Sequence, residues 1–200
     1  MYGWQRYYYI EQEFVAVRQY LPYEFKNVYS EFFTRSITVL GAEIEGAFKE
    51  LCKILGNPDA GNISQYKETI LTKYPNIVSW KCSVKEELYE IIPFEKWDKE
   101  SLDWWGIYTR IKHNLVDRNA RYKVALKMLG AYELLIYTIA ATDPNNRILD
   151  TYGNEKPIKA YSYLDSPRVM EADLNFVIGS IEDDVTMIAF YPNEVLKRIM

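Results

Sequence analysis

From about Asn119 to Ala141 the chain becomes steadily more apolar, and Asp143-Pro144 closes the run. Proline lacks the amide that a helix needs and pushes the residue before it out of helical geometry, so the stretch is predicted as one long helix ending at 141. Tyr122, Leu126, Leu129, Ile136 and Ala140 share one side, while Leu134, Leu135 and Ile139 make other sides apolar as well. A helix apolar on every side has to be surrounded by neighbours. Lys127 and Glu133 inside it mark a core helix and not a membrane span. The rest of the chain must therefore supply apolar faces to cover it.

The first such face lies at 24–55, where Phe33, Ile37, Leu40, Ile44, Phe48, Leu51 and Leu55 recur at helical spacing and Gly56 and Pro58 supply the stop. Gly41 and Gly46 inside this helix each cost about 1 kcal/mol relative to alanine, which predicts the close approach of another helix. Glu45 is set to pair with Lys49 four residues on. Glu43 lacks such a partner and is the better candidate of the two to face the polar side of the helix at 101–115, with an ordinary surface acid the commoner reading. An N-terminal helix carries Ile10, Phe14 and Val17 and ends before Pro22. Its Tyr7-Tyr8-Tyr9 run suits either packing or a stacking platform for bases, with packing the commoner use. Asn62 and Gln65 form a capping box for a short helix that ends before Pro75.

Between the helices the period changes. Val78, Trp80, Cys82 and Val84 alternate with polar residues, and 88–92 can pair with them, predicting a β-hairpin at about 77–92. Beyond Asp143 the composition shifts, with strand signals at 158–164, 174–178 and 185–191, so 143–200 is expected to be an extension with short strands packed on the helices. The fold class is mainly α.

Hydrophobic residues at 48% and charged residues at 26% suit a globular chain whose 200 residues can bury a core without staples. Cys52 and Cys82 each fall in an apolar pattern and read as small buried hydrophobes. With no CxxC and one histidine, no zinc site is expected; no cofactor is predicted, with a carboxylate-held magnesium as the open alternative. A reduced, cytoplasmic protein without a membrane partner follows as the expectation.

The residues with chemical potential cluster at 104–121. Ser101 is placed to cap a helix in which Trp104, Tyr108, Ile111 and Leu115 form an apolar stripe and Arg110, His113, Asn114 and Asp117 a polar one. From Arg110 to Lys127 there are six cations (Arg110, Lys112, Arg118, Arg121, Lys123, Lys127) against the single acid Asp117, a local excess of five in a chain of net charge −4. Such an excess can contact phosphates, or can form the solvated faces of two helices. A histidine beside an arginine and an amide suits phosphodiester chemistry, whereas a lone exposed histidine is more often structural.

The order Pro93-Phe94 with Trp97, then Trp104-Trp105-x-x-Tyr108-x-x-x-Lys112-His113, then the small-and-apolar helix to Ala141 resembles bacterial members of the HEPN superfamily. Asn27, Ser30 and the Glu43-Ile44-Glu45 helix ending in Lys49 resemble the first long helix of such proteins, and the likeness spans roughly residues 10–142. The resemblance implies an antiparallel helical bundle over 1–142, commonly homodimeric, in phage defence, toxin and antitoxin pairs or RNA processing. Active members are metal-independent endoribonucleases whose site draws on two subunits. Carried over, the catalytic candidates are His113 as acid/base with Arg110 and Lys112 on the phosphate; Asn114, Tyr108, Arg118, Arg121 and Glu43 are the substrate-binding candidates. The partners implied are RNA, a second copy and a protein such as an antitoxin. In the active pattern arginine stands four to six residues before histidine and is followed by a polar residue. Here only two residues separate Arg110 from His113, and Ile111 follows the arginine. The alternative is a noncatalytic module for dimerisation or for binding a protein or nucleotide.

Overall fold

The computed structural model describes residues 3–84, 89–114 and 117–143 and the strands at 147–149, 155–157 and 170–172, with side chains described for 3–22, 24–82, 90–113 and 117–143. Among these residues the chain is mainly helical: α1 (Trp4–Arg18), α2 (Glu31–Ile54), α3 (Ile63–Lys73), α4 (Asp103–Asn114) and α5 (Tyr122–Thr142). Short strands β1 (Cys82–Val84) and β2 (Tyr89–Ile91) pair antiparallel with Cys82 opposite Ile91. The predicted turn at Lys85–Glu87 lies outside the described residues, as do the strand signals at 158–164, 174–178 and 185–191. Strands β3 (Arg147–Leu149) and β4 (Glu155–Pro157) pair with each other, and β5 (Met170–Ala172) joins β1 to give the order β2-β1-β5.

Helix α5 is the core, and every residue from Met128 to Ala140 is buried. By length and apolarity it could cross a membrane, but 89% of its most apolar window is buried against the other elements. Asp143 ends it in extended geometry (φ −69°, ψ 113°), as a residue before proline should. The most extensive packing is between α5 and α2. Phe33 stacks on Tyr122 at 5.2 Å, and ten residues further along each helix Tyr132 donates to Glu43 at 3.2 Å. The two central helices therefore run parallel. Helix α1 runs against both, since Arg6 meets Glu43, Arg35 meets Glu13, Trp4 packs near Tyr137 and Tyr7 near Tyr132.

Helix α1 packs inward on Tyr7, Glu11 and Phe14, which are buried, with Ile10 and Val17 of the predicted stripe half-covered against the core at its edge. Tyr7 packs inside and Tyr9 is 70% exposed, so the tyrosine run is split between core and surface. The Tyr7 hydroxyl donates to Glu11 at 3.2 Å. Burial, with the carboxylates of Glu133 and Glu11 nearby, pushes its pKa well above the ordinary 10.0.

The start of α2 differs from expectation. Ser30 caps it, accepting from Phe33 N at 3.3 Å, so the helix begins at Glu31 and not near Glu24. The segment before it is used elsewhere: the Val28 and Lys26 carbonyls accept from Tyr122 N (3.0 Å) and Lys123 N (2.9 Å). These are first-turn amides of α5, which have no acceptors within their own helix. At the other end, Gly56 takes φ 90° while Asn57 N donates to Cys52 O and Gly56 N to Lys53 O, a closing motif that needs a left-handed residue.

The Gln65 side chain reaches back to Gly61 N at 2.8 Å, one residue earlier than a capping box requires, while Asn62 accepts from Ser64 N and Gln65 N. Alternation from Val78 did not give a strand there, because Pro75–Ser79 forms a 3₁₀ turn and the ladder starts only at Cys82. Cys52 and Cys82 are both fully buried thiols. Cys82 Sγ lies 3.5 Å from the Gly130 carbonyl, where the absence of a side chain on α5 admits β1.

Candidate nucleic-acid interface

Helix α4 brings the chemical candidates to the bundle. It runs antiparallel to α2, since Trp105 packs against Phe48 and Tyr108 against Gly41. Its buried stripe is Trp104, Tyr108 and Ile111, as the spacing predicts; Leu115 lies outside the described residues. The Leu102 carbonyl accepts from Gly106 N at 3.3 Å, placing Ser101 one residue too early to cap. Asp103 serves the first turn instead, accepting from Trp104 N at 2.8 Å and from Lys127 Nζ at 3.0 Å. The aromatic residues of the 93–108 segment are structural: Phe94, Trp97 and Trp104 are buried and join Phe48 and Trp105 in one ring cluster.

Lys112 does not stand free over a phosphate site. Its ammonium bonds Glu45 Oε2 at 3.2 Å and lies 5.5 Å from the centre of the Tyr108 ring, and Tyr108 Oη donates to the same carboxylate oxygen at 3.3 Å. Lys49 Nζ takes the other oxygen at 3.3 Å. Partial burial pushes the Glu45 carboxyl up, but the Lys112 and Lys49 ammoniums outweigh it and hold the pKa below 4.5. The acid facing α4 is thus Glu45. Glu43 projects to the opposite side, against Arg6 (2.8 Å) and Tyr132, and is removed from this site. Glu43 and Glu45 stand two positions apart, a rotation of about 200° along a helix, which puts them on opposite faces.

Arg110 is also engaged. Its Nε donates to Asp117 Oδ2 at 2.7 Å, and Asp117 Oδ1 accepts from Asn119 N (2.8 Å) and Asn119 Nδ2 (2.9 Å). Burial raises the Asp117 carboxyl, while the Asn119 amide and the Arg110 guanidinium overcome that and hold it below 3.8. This Asp-x-Asn turn ties the end of α4 to the start of α5. Asp117 is 8% exposed and Arg110 55%, so the acid is the anchor and the guanidinium keeps its outer edge in solvent. His113, one turn from Arg110, is exposed and has no hydrogen-bond partner among the described residues. The Asn114 side chain lies outside them.

The six cations of 110–127 therefore divide. Arg110, Lys112 and Lys127 are held by Asp117, Glu45 and Asp103. Arg118, Arg121 and Lys123 form no ion pair among the described residues, and α5 has no acid in its first turn. These three charges stand at the positive end of a 21-residue helix dipole, a placement that favours a bound anion. Arg118 and Lys123 are exposed and Arg121 half-buried. The HEPN resemblance puts His113, Arg110 and Lys112 first. Asp117 lies in the polar stripe that the spacing predicts, but its anchoring role, signalled by the Asp-x-Asn turn sequence, and the part played by segment 25–28 are not among the sequence expectations.

The depressed carboxyls have a pH consequence. Asp117 and Glu45, with ordinary values 3.8 and 4.5, contribute stability that is complete above those values and is lost as pH falls through their lower native values. Asp117→Asn and Glu45→Gln are expected to flatten the acid limb of a urea-measured stability profile below about pH 4.5, each by on the order of 1 kcal/mol because their cationic partners are half-exposed. Unchanged acid limbs in both variants would mean that the pairs do not persist in solution.

No protein-family model, curated protein or solved structure matches the chain.

Proposed function

We propose that this chain is an RNA-binding protein of HEPN-like build, and that the junction of α4 and α5 is its RNA site. The observation that carries the reading is the set of cations without acidic partners among the described residues, Arg118, Arg121 and Lys123, at the N-terminus of α5, following directly on the Arg110, His113 and Asp117 turn. Phosphates suit that surface because they satisfy both the side-chain charges and the helix end.

In the catalytic form of the proposal, His113 takes the proton of a ribose 2′-hydroxyl, which attacks its own phosphodiester. The 5′-oxygen leaves with a proton from the histidine of a second copy, and a cyclic phosphate remains. The outer edge of Arg110 stabilises the charge on the phosphate. Lys112 has no part in this, since Glu45 holds it.

A noncatalytic binding module is the second reading, favoured by a specific observation: Arg110 is already ion-paired and no described group orients His113. Cleavage of mixed RNA in chelator, by the protein and by His113→Ala, separates the two. The catalytic form predicts cyclic phosphate ends and a loss of about 10²-fold or more in the variant. Equal traces from both proteins, or none, leave the junction as a binding site only.

A further inference from the structure

The turn between α1 and α2 exposes large apolar side chains that the bundle does not use. Tyr20 is 84% exposed, Phe25 52% and Val28 39%, all within nine residues. Three such side chains close in sequence at one turn offer a contact surface. Its place in the fold indicates what it contacts. The Lys26 carbonyl accepts from Lys123 N and the Val28 carbonyl from Tyr122 N, and Tyr29 bridges Arg121. Phe25 therefore sits one residue from the point where this segment is bonded to the basic first turn of α5. Of the acids nearby, Glu24 is exposed on the turn itself, and Glu31 is held by the Tyr29 hydroxyl at 2.7 Å.

We propose that this turn is a stacking platform for unpaired bases, and that it makes the junction of α4 and α5 selective for single-stranded RNA. The Phe25 ring takes a base on its exposed face, with Tyr20 on the same turn as a second ring, while Arg118, Arg121 and Lys123 hold the flanking phosphates. Aromatic rings beside a basic track are what a single strand needs and a duplex cannot use, because bases inside a helix present no open face. A protein partner would fit the apolar residues but would also have to match three cations that have no acidic partner among the described residues. The inference rests on the RNA-binding reading and adds the kind of strand recognised.

The test compares a labelled single-stranded RNA of mixed sequence with the same strand annealed to its complement, at low salt and in chelator. Phe25→Ala is expected to weaken single-strand binding about ten-fold, the size of one lost base stack, and to leave duplex binding unchanged. Phe25→Trp should retain or improve the single-strand affinity, which a merely structural role for the ring would not predict. Arg121→Ala should weaken both forms. Single-strand affinity equal in the wild type and Phe25→Ala overturns the platform while leaving the RNA reading intact. Absence of binding of either form by the wild type overturns both.

Discussion

Trp104→Ala is expected to destabilise the protein by about 3–5 kcal/mol, the largest effect of any single substitution in α4. The ring is fully buried between Phe94 and Trp105, and its Nε1 donates to the Pro93 carbonyl at 2.8 Å. Truncation leaves a cavity in a cluster whose other members are too constrained by their own ring contacts to close it. It also leaves the Pro93 carbonyl, which anchors the 93–100 connection, without its donor. Trp104→Phe keeps most of the apolar volume but not the hydrogen bond, and should fall between the two. Urea denaturation monitored by circular dichroism measures both. A cost under about 1 kcal/mol for the alanine variant would mean that α4 is not held to the bundle through this ring.

Gly41→Ala should also destabilise, by about 1–3 kcal/mol, although alanine in a helix interior is normally better than glycine by about 1 kcal/mol. The reversal comes from α4: an added methyl group at Gly41 would occupy the space of the Tyr108 ring. The ring cannot move without releasing Glu45 and the Lys112 ammonium above it. In the double variant Gly41→Ala with Tyr108→Ala the clash is gone, so the summed single effects should exceed the double effect by more than about 0.5 kcal/mol. Strict additivity would separate α4 from α2 at this point.

Much of the helical frame was legible because apolar periodicity reports burial directly. Phe33, Ile37, Leu40, Ile44, Phe48 and Leu51 are buried as their spacing predicts, and so are Trp104, Tyr108 and Ile111. Gly41 signalled a close helix approach, and Gly56 signalled the end of α2. The polar half of the 104–121 segment was far less legible. Charges find partners across the fold, as Lys112 does with Glu45 at a separation of 67 residues, and no local spacing encodes that meeting. Glu43 fails to face α4 for the same reason, whereas Glu45 keeps the Lys49 pairing that local spacing predicts and adds Lys112. The start of α2 was misplaced because the Lys26 to Tyr29 segment follows the acceptor needs of a helix almost a hundred residues later. Glu133, which argued in the sequence against a membrane span, is fully buried within α5, a placement no sequence pattern foretold.

The central claim is that RNA binds the junction of α4 and α5 through Arg118, Arg121 and Lys123, and salt dependence tests it most directly. The measurement is the affinity of a single-stranded RNA across a series of salt concentrations, for the protein and for the combined Arg118→Ala, Arg121→Ala and Lys123→Ala variant. Binding to single strands falls with salt at a slope of about −0.7 per phosphate contact, so removing three contacts should flatten the log–log slope by about 2. The account predicts that flattening together with a large loss of affinity at low salt. Absence of RNA binding at low salt, or a slope that the triple variant leaves unchanged, would contradict it.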